Sequence, residues 1–434
     1  MKYSRFTILC EDGDKTILFN TLNKQMKIIP RQLCYESAKN SKILERQLAD
    51  FLVKNDSEDN ENLQYLINSM VYQSTRLNIT LMMTMKCNFR CIYCFESWIP
   101  GKEKCVELNE DEVIEWIVWL VKKYHIRQVD LCFHGGEPLL EVQKIKKIAH
   151  RLKAFFQPNG VFYLFTIVTN GYLLNGENAS ELADAGIKIA QITIDGVEEI
   201  HDQRRPLANG KGTFKTILTN IENNSCMQIY ISIIYDNKNA HNVRQLIDFL
   251  DERNMQDKIR LIVLSATKPT IESNNVSDFQ LSQQEDARLR VSLLKYITDR
   301  GFRVPFDVDY QMCTMKQKNS FVITPDRTIY KCISGVGNQT FKLGTLKIGD
   351  DPFKAQPHII ENRKDEDCQC CEYMPICNRF CQYESFVMNC TKICKKAYWR
   401  EFLQGYFSMY LKSEHKENFV LNPSAEEWEI TYHE

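Results

Sequence analysis

The chain has no excess of charge of one sign: 55 Lys and Arg against 56 Asp and Glu leave a formal net charge of −1. That balance gives no global electrostatic reason to expect nucleic acid or an anionic membrane surface as partner. No stretch approaches the ~18 uninterrupted apolar residues of a spanning helix; the nearest, "VIEWIVWLVKKY" (113–124), is short and reads as an amphipathic helix. The opening "MKYSRFTILCEDGDKT" carries charges and no apolar h-region, so it does not read as a secretory signal peptide. Long repeats and low-complexity tracts are also missing. These absences predict no membrane partner, no nucleic-acid partner and a cytoplasmic location.

Cysteine, by contrast, is abundant: 17 in 434 residues, in a chain whose 44% hydrophobic content supports a buried core. In a secreted chain that count would mean a disulfide framework. In a long, core-forming chain with no export signal it points to metal or catalytic use. Their placement supports this, since three cysteines lie within 87–94 and nine between 313 and 394.

The length predicts roughly two to three domains. Residues 1–75 open with strand-like runs ("YSRFTILC", "KTILFN", "QMKIIP"), followed by a helical stretch, "QLCYESAKNSKILERQLADFLV", and a loop-like acidic "DSEDNEN". This order predicts a small α+β unit. From 76 to 302 the rhythm changes. Six β-branched runs begin near 77, 128, 162, 187, 228 and 259 and alternate with helices over 109–124, 141–156, 177–185, 213–223 and 241–253. Successive βα units imply a parallel sheet with right-handed crossovers, either a partial barrel or an open doubly wound sheet. A cysteine-rich segment occupies 303–400, and a helix and polar tail occupy 401–434.

The unusual residues of the βα section fall just after strands, at the end where parallel α/β folds present ligands. "MKCNFRCIYCFES" (85–97) follows the first strand, "GGEP" (135–138) the second, "TNG" (169–171) ends the third and "DG" (195–196) the fourth. Taken singly, GGEP and DG are ordinary turn chemistry. Cys87, Cys91 and Cys94 give three thiolates and no nearby fourth. Zinc with a distant fourth ligand is one reading; an iron–sulfur cluster with one iron open is the other.

C-x3-C-x2-C after the first strand, with Tyr93 before the last cysteine and GGE after the second strand, resembles the radical S-adenosylmethionine (SAM) enzymes. The resemblance implies a [4Fe–4S] cluster on Cys87, Cys91 and Cys94, with S-adenosylmethionine chelating the open iron. It further implies reductive cleavage to a 5′-deoxyadenosyl radical that takes hydrogen from substrate, the electron coming from a donor such as flavodoxin or ferredoxin. The cofactor-binding residues carried over are Tyr93, Gly135, Gly136, Glu137 (for the methionyl ammonium), Asp195, and either Arg204 or Arg205 for the carboxylate. The fold implied is a partial (βα)6 barrel of TIM type, flanked by an N-terminal winged-helix-like unit and a C-terminal cysteine-rich domain.

The segment "CQCCEYMPICNRFC" with its flanking cysteines resembles the SPASM extension of radical enzymes that act on peptides and proteins. By that similarity two auxiliary [4Fe–4S] clusters join the first, making three. Cys313, Cys332 and Cys381 would bind one, with Cys105, Cys370 or an open position as its fourth corner. Cys368, Cys371 and Cys377 would bind the other, completed by Cys394 in preference to Cys390. An auxiliary centre is a candidate acceptor for the electron released when a substrate radical closes a new bond. One departure is Arg327, where the SPASM pattern has glycine. Cys10, Cys34, Cys132 and Cys226 read as packed thiols.

Residues 1–75 resemble the domain that grips a precursor's leader peptide by strand addition. A sulfatase maturase would start close to the cysteine loop and carry an acidic residue where this chain has Ile333. The expected function is therefore maturation of a small ribosomal precursor peptide by cross-linking, through thioether or carbon–carbon bonds. A sulfatase-maturase-like enzyme and a non-enzymatic zinc or iron–sulfur protein are the alternatives. No residue is assigned as catalytic base.

Overall fold

The computed structural model describes residues 2–35, 46, 48–72, 75–99, 106–269, 281–306, 313–354, 366–377, 381–390 and 393–420. Cys105 lies outside them, as does the side chain of Cys34.

In the N-terminal unit, β1 (Lys2–Tyr3) is followed by an antiparallel sheet of β2 (Thr7–Asp12), β3 (Lys15–Asn20) and β4 (Met26–Pro30), in that order. Strand β3 is central and buried along nearly its whole length. Of the expected helix over 32–53, Arg31–Tyr35 and Arg46 are helical and Ala49–Phe51 forms a 3-10 turn, while its far end, Leu52–Val53, is instead strand β5, paired with β1. The acidic "DSEDNEN" is not a loop either. It starts helix α1 (Asp56–Val71), where the Asn55 side chain accepts from the Glu58 amide and three acids face the positive helix end. The cap residue, Asn55, precedes the acidic run and is what makes it a helix start.

Strands β6 (Arg76–Met82), β7 (Gln128–His134), β8 (Phe162–Thr169), β9 (Ile187–Thr193), β10 (Gln228–Tyr235) and β11 (Ile259–Ala266) lie side by side in sequence order, all parallel. A doubly wound sheet reverses its strand order at a switch point; this one never does. It therefore winds in one direction, as a partial barrel. The crossover helices α2 (Glu110–Tyr124), α3 (Val142–Phe156), α4 (Gly176–Asp184), α5 (Glu198–Arg204), α6 (Phe214–Glu222) and α7 (Val243–Glu252) bury stripes at i, i+3 and i+4 spacing. In α3, for example, Ile145, Ile148, Ala149 and Leu152 are fully buried.

The cysteine-rich segment does not stand apart from this sheet. After β12 (Val304–Pro305), strand β13 (Ser320–Ile323) pairs in parallel with β6, and β14 (Thr328–Tyr330) and β15 (Lys342–Thr345) extend it to nine strands. Arg327, the departure from glycine, adopts the left-handed conformation glycine would take, at φ 68°. The turn survives without it at a cost of ~1–2 kcal/mol, with the guanidinium lying 3.3 Å from Glu112. Helix α8 (Gln283–Thr298) packs on α9 (Lys396–Lys412), which is followed by β16 (Phe419–Val420), paired with β12.

Candidate active site

The cysteine loop is shaped by the backbone on both sides of it. Beyond β6, Met83 N–H donates to His134 O, Gly136 N–H to Thr84 O and Glu137 N–H to Lys86 O, at 2.8–2.9 Å. The GGE turn is thus laced to the strand that leads into Cys87. A methyl group on Gly136 would stand 2.2 Å from the Lys86 carbonyl oxygen, and one on Gly135 (φ 130°) 2.5 Å from that of Thr84. Both glycines are required by contact between two main chains, whatever ligand they also meet. Gly136→Ala is expected to lower stability by ~3 kcal/mol, because backbone cannot move aside as a side chain does; urea denaturation reads it.

On its other side the loop is zipped to the segment after α5. Arg90 N–H donates to Pro206 O, Ile92 N–H to Arg204 O and Ala208 N–H to Asn88 O, at 2.8–3.0 Å, with Phe89 bridged to Leu207. A third tie comes from β8, where Asn170 Nδ2 donates to Asn88 Oδ1 at 2.8 Å. Asn88 and Asn170 were not singled out from sequence. Their only signals were their places inside "MKCNFRC" and "TNG".

Cys87, Cys91 and Cys94 are half-buried and electrostatically adjacent. Burial pushes the Cys87 thiol up to about 12, opposed by the Phe89 N–H that donates to its sulfur at 3.4 Å and reinforced by Glu137 and the two other thiols. Burial raises Cys91 as well, with Arg205 opposing it. For Cys87 and Cys91 the neutral thiol is therefore favoured until a bound cationic centre draws off its proton.

Behind the thiols lies a buried charged network. Tyr93 OH donates to Asp195 Oδ2 at 2.5 Å and accepts from Arg205 Nη1 at 2.6 Å. Asp195, fully buried, also accepts from Ile234 N–H at 3.1 Å and pairs with Arg204 at 3.4 Å. Arg204 reaches Asp236 at 3.0 Å and lies 5.0 Å above the Tyr93 ring. The structure thus separates two arginines that the sequence left equivalent. Arg204 is neutralised by two carboxylates. Arg205 makes no salt bridge to a carboxylate among the described residues, although its charge acts on Asp195 and Cys91, and its buried Nε, like Nη2 of Arg204, has no hydrogen-bond partner among them. An unused donor on a buried guanidinium beside the thiols suits an incoming carboxylate.

Glu137, 1% exposed, accepts from Leu139 N–H and Thr169 OH on Oε1 and from Asn170 N–H on Oε2, at 2.6–3.0 Å. Burial raises its pKa and these donors oppose the rise. Three of about four acceptor positions are taken. Its main work is to tie the ends of β7 and β8 together, with little capacity left for an ammonium.

The two further cysteine sets also gather. Cys313, Cys332 and Cys381 interact with one another and pack against a small core of Met82, Met315, Val322, Tyr330 and Tyr383. Cys368, Cys371 and Cys377 form the second set. Cys370, Cys390 and Cys394 are exposed. Cys394 lies two residues ahead of α9, and its carbonyl accepts from Gln283 at 2.7 Å. Of the thiols read as packed, Cys10 is buried and Cys132 half-buried, whereas Cys226 is exposed. Among the described residues no three His, Cys, Asp or Glu side chains converge on a single-ion site, and no helix is long and apolar enough to cross a membrane.

Residues 81–250 match the family model described as the radical SAM superfamily. A cysteine-type anaerobic sulfatase-maturating enzyme of Clostridium novyi is 25% identical over 322 residues, covering 68% of this chain and 85% of the relative. Among solved structures, anSMEcpe with bound AdoMet superposes with a TM-score of 0.63 at 17% identity, covering 82% of this chain and 98% of that one. Streptococcus suis SuiB bound to precursor peptide SuiA gives 0.53 at 16% identity, covering 88% and 95%. The cofactors of such a domain are a [4Fe–4S] cluster and S-adenosylmethionine, and the gathered thiols, the glycine turn and the free Arg205 donor fit them. Residues 81–250 thus match the radical SAM superfamily, and the relatives of this chain include maturating enzymes.

Proposed function

We propose that this enzyme matures a ribosomally made precursor peptide, linking side chains through thioether or carbon–carbon bonds. The observation that carries this reading is the α+β unit of residues 1–75, with its three-stranded antiparallel sheet, set ahead of the radical SAM domain. SuiB, whose fold this chain shares, is a protein that binds a precursor peptide. We assign Cys87, Cys91 and Cys94 to the cluster, and Arg205 to the S-adenosylmethionine carboxylate. Once bound, that pair supplies a 5′-deoxyadenosyl radical. Asp195 orients Tyr93 and Arg205 beside the thiols, and Glu137 holds the glycine turn against the loop. Cys313, Cys332 and Cys381 are assigned to one auxiliary cluster; Cys368, Cys371, Cys377 and Cys394 to another.

Each linkage removes two hydrogens from the peptide, one as an atom and one as a proton plus an electron. Anaerobic reconstitution should give about twelve irons per chain, four for each cluster. Incubation with reductant, S-adenosylmethionine and the peptide encoded beside the enzyme should yield 5′-deoxyadenosine and a product two hydrogens lighter per link. Zinc without labile sulfide, or an unchanged peptide mass, would refute the assignment. Sulfatase maturation is the second reading, favoured by the Clostridium novyi relative; a sulfatase peptide altered at its cysteine or serine would support it.

Arg205→Met should weaken S-adenosylmethionine binding at least tenfold in equilibrium titration, while the Arg204 pairs with Asp195 and Asp236 remain in place. Arg204→Met should instead cost ~3 kcal/mol of stability, because it strands Asp195 and Asp236 in the interior.

A further inference from the structure

The four residues that begin the loop from Cys371 to Cys377 all meet the N-terminal unit. Cys371 packs, together with Leu22, against a core of Phe6, Leu63, Ile67, Val71 and Met374. Four of those core residues come from the N-terminal unit, and the fifth, Met374, comes from the loop itself. Between them, the carbonyl of Glu372 accepts from Thr21 Oγ1 at 2.8 Å. Tyr373 and Cys10 of β2 share the lining of a cavity of about 480 Å³ between β2, α8 and α9.

Further contacts reach the same unit from Lys318, whose N–H donates to Val71 O at 2.8 Å, and from the middle and end of α9, the helix that follows Cys394. Phe407 lies 4.9 Å from Phe19 between ring centres, Gln404 Nε2 donates to Glu11 O at 2.9 Å, and Lys412 pairs with Asp12 at 2.7 Å. Two of the elements that hold the N-terminal unit, the loop from Cys371 and the helix that follows Cys394, therefore adjoin cysteines assigned to the second auxiliary set. Nothing in the chemistry of electron transfer requires this. A rigid seat for a docked unit does, because a loop tied at both ends to one compact group loses little conformational entropy when another surface packs on it.

We propose that the second auxiliary set is the docking seat of the N-terminal unit: whatever Cys368, Cys371 and Cys377 hold fixes the loop 371–377, and that loop fixes the unit against the barrel. The inference rests on assigning those cysteines to a cluster. Its consequence for a peptide enzyme is geometric. A leader held on the N-terminal unit delivers its core to the barrel mouth at high effective concentration only while the two stay in fixed relation.

Hydrogen exchange read by mass spectrometry on the reconstituted full chain tests it without any peptide. In Cys371→Ala/Cys377→Ala, iron should fall from about twelve to about eight per chain. Amide exchange in 15–22 and 63–71 should then rise at least tenfold while β7 and β8 keep their protection. Thr21→Val, with its irons intact, should raise exchange in the same segments by a smaller factor. Eight irons with unchanged exchange in those segments would overturn the inference and leave the cluster assignment standing. Twelve irons would overturn both. Loss of protection in β7 and β8 as well would also overturn the inference, since the group would then stabilise the whole chain rather than a seat.

Discussion

Cys91→Ala should abolish the reductive cleavage of S-adenosylmethionine. 5′-Deoxyadenosine formed under strong reductant should fall to the level without enzyme, and about four irons per chain should be lost. Of the three loop thiols, Cys91 has the clearest electrostatic setting, raised by burial and acted on by the Arg205 cation and the Asp195 carboxylate. Its removal takes away a proposed cluster ligand and the sulfur beside Arg205. Cys132→Ala, a half-buried thiol on β7 outside all three sets, is the control and should leave both readings unchanged. Residual cleavage in Cys91→Ala at more than a few per cent of the parent would show that the loop does not hold the reactive cluster.

The second large effect is expected at Asp195, which touches none of the three thiols through a hydrogen bond. Its carboxylate accepts from Tyr93 OH and Ile234 N–H and faces Arg204, all in the interior. Asp195→Asn keeps the shape and removes the charge. Arg204 then keeps only Asp236, and Arg205 loses the carboxylate charge that acts on it through the interior; leaving a buried charge uncompensated costs ~3–5 kcal/mol. Urea denaturation should show that loss. Titration with S-adenosylmethionine should show weaker binding as well, because Tyr93 no longer holds Arg205 in place. A variant as stable as the parent would mean that the network is solvated, contrary to its burial.

Much of the site could be read in the sequence because its parts are local. Three cysteines within eight residues, a GGE after one strand and a DG after another are short-range patterns, and β-branched runs at regular spacing locate the strands that carry them. One departure is local and one is not. "DSEDNEN" looked like a loop because its charges were read without the Asn55 cap, and Leu52–Val53 looked helical because its partner, β1, lies about fifty residues earlier. Strand pairing across such a distance leaves no periodic trace.

By itself, then, the sequence determined the chemistry available: soft thiolate ligands in three sets, a glycine turn, and a carboxylate–arginine segment on the ligand-facing ends of parallel strands. Residue type and spacing suffice for that, because the capacity to bind iron or a carboxylate belongs to the side chain. Only the tertiary structure decided how those capacities are used. It paired Arg204 with two carboxylates and Arg205 with the Tyr93 hydroxyl, filled most of Glu137 with backbone and hydroxyl donors, joined the cysteine-rich hairpin to the main sheet through β6 and β13, and set the N-terminal unit on the loop after Cys371. Each of these depends on which groups meet after burial, and burial brings together residues that the chain keeps hundreds of positions apart.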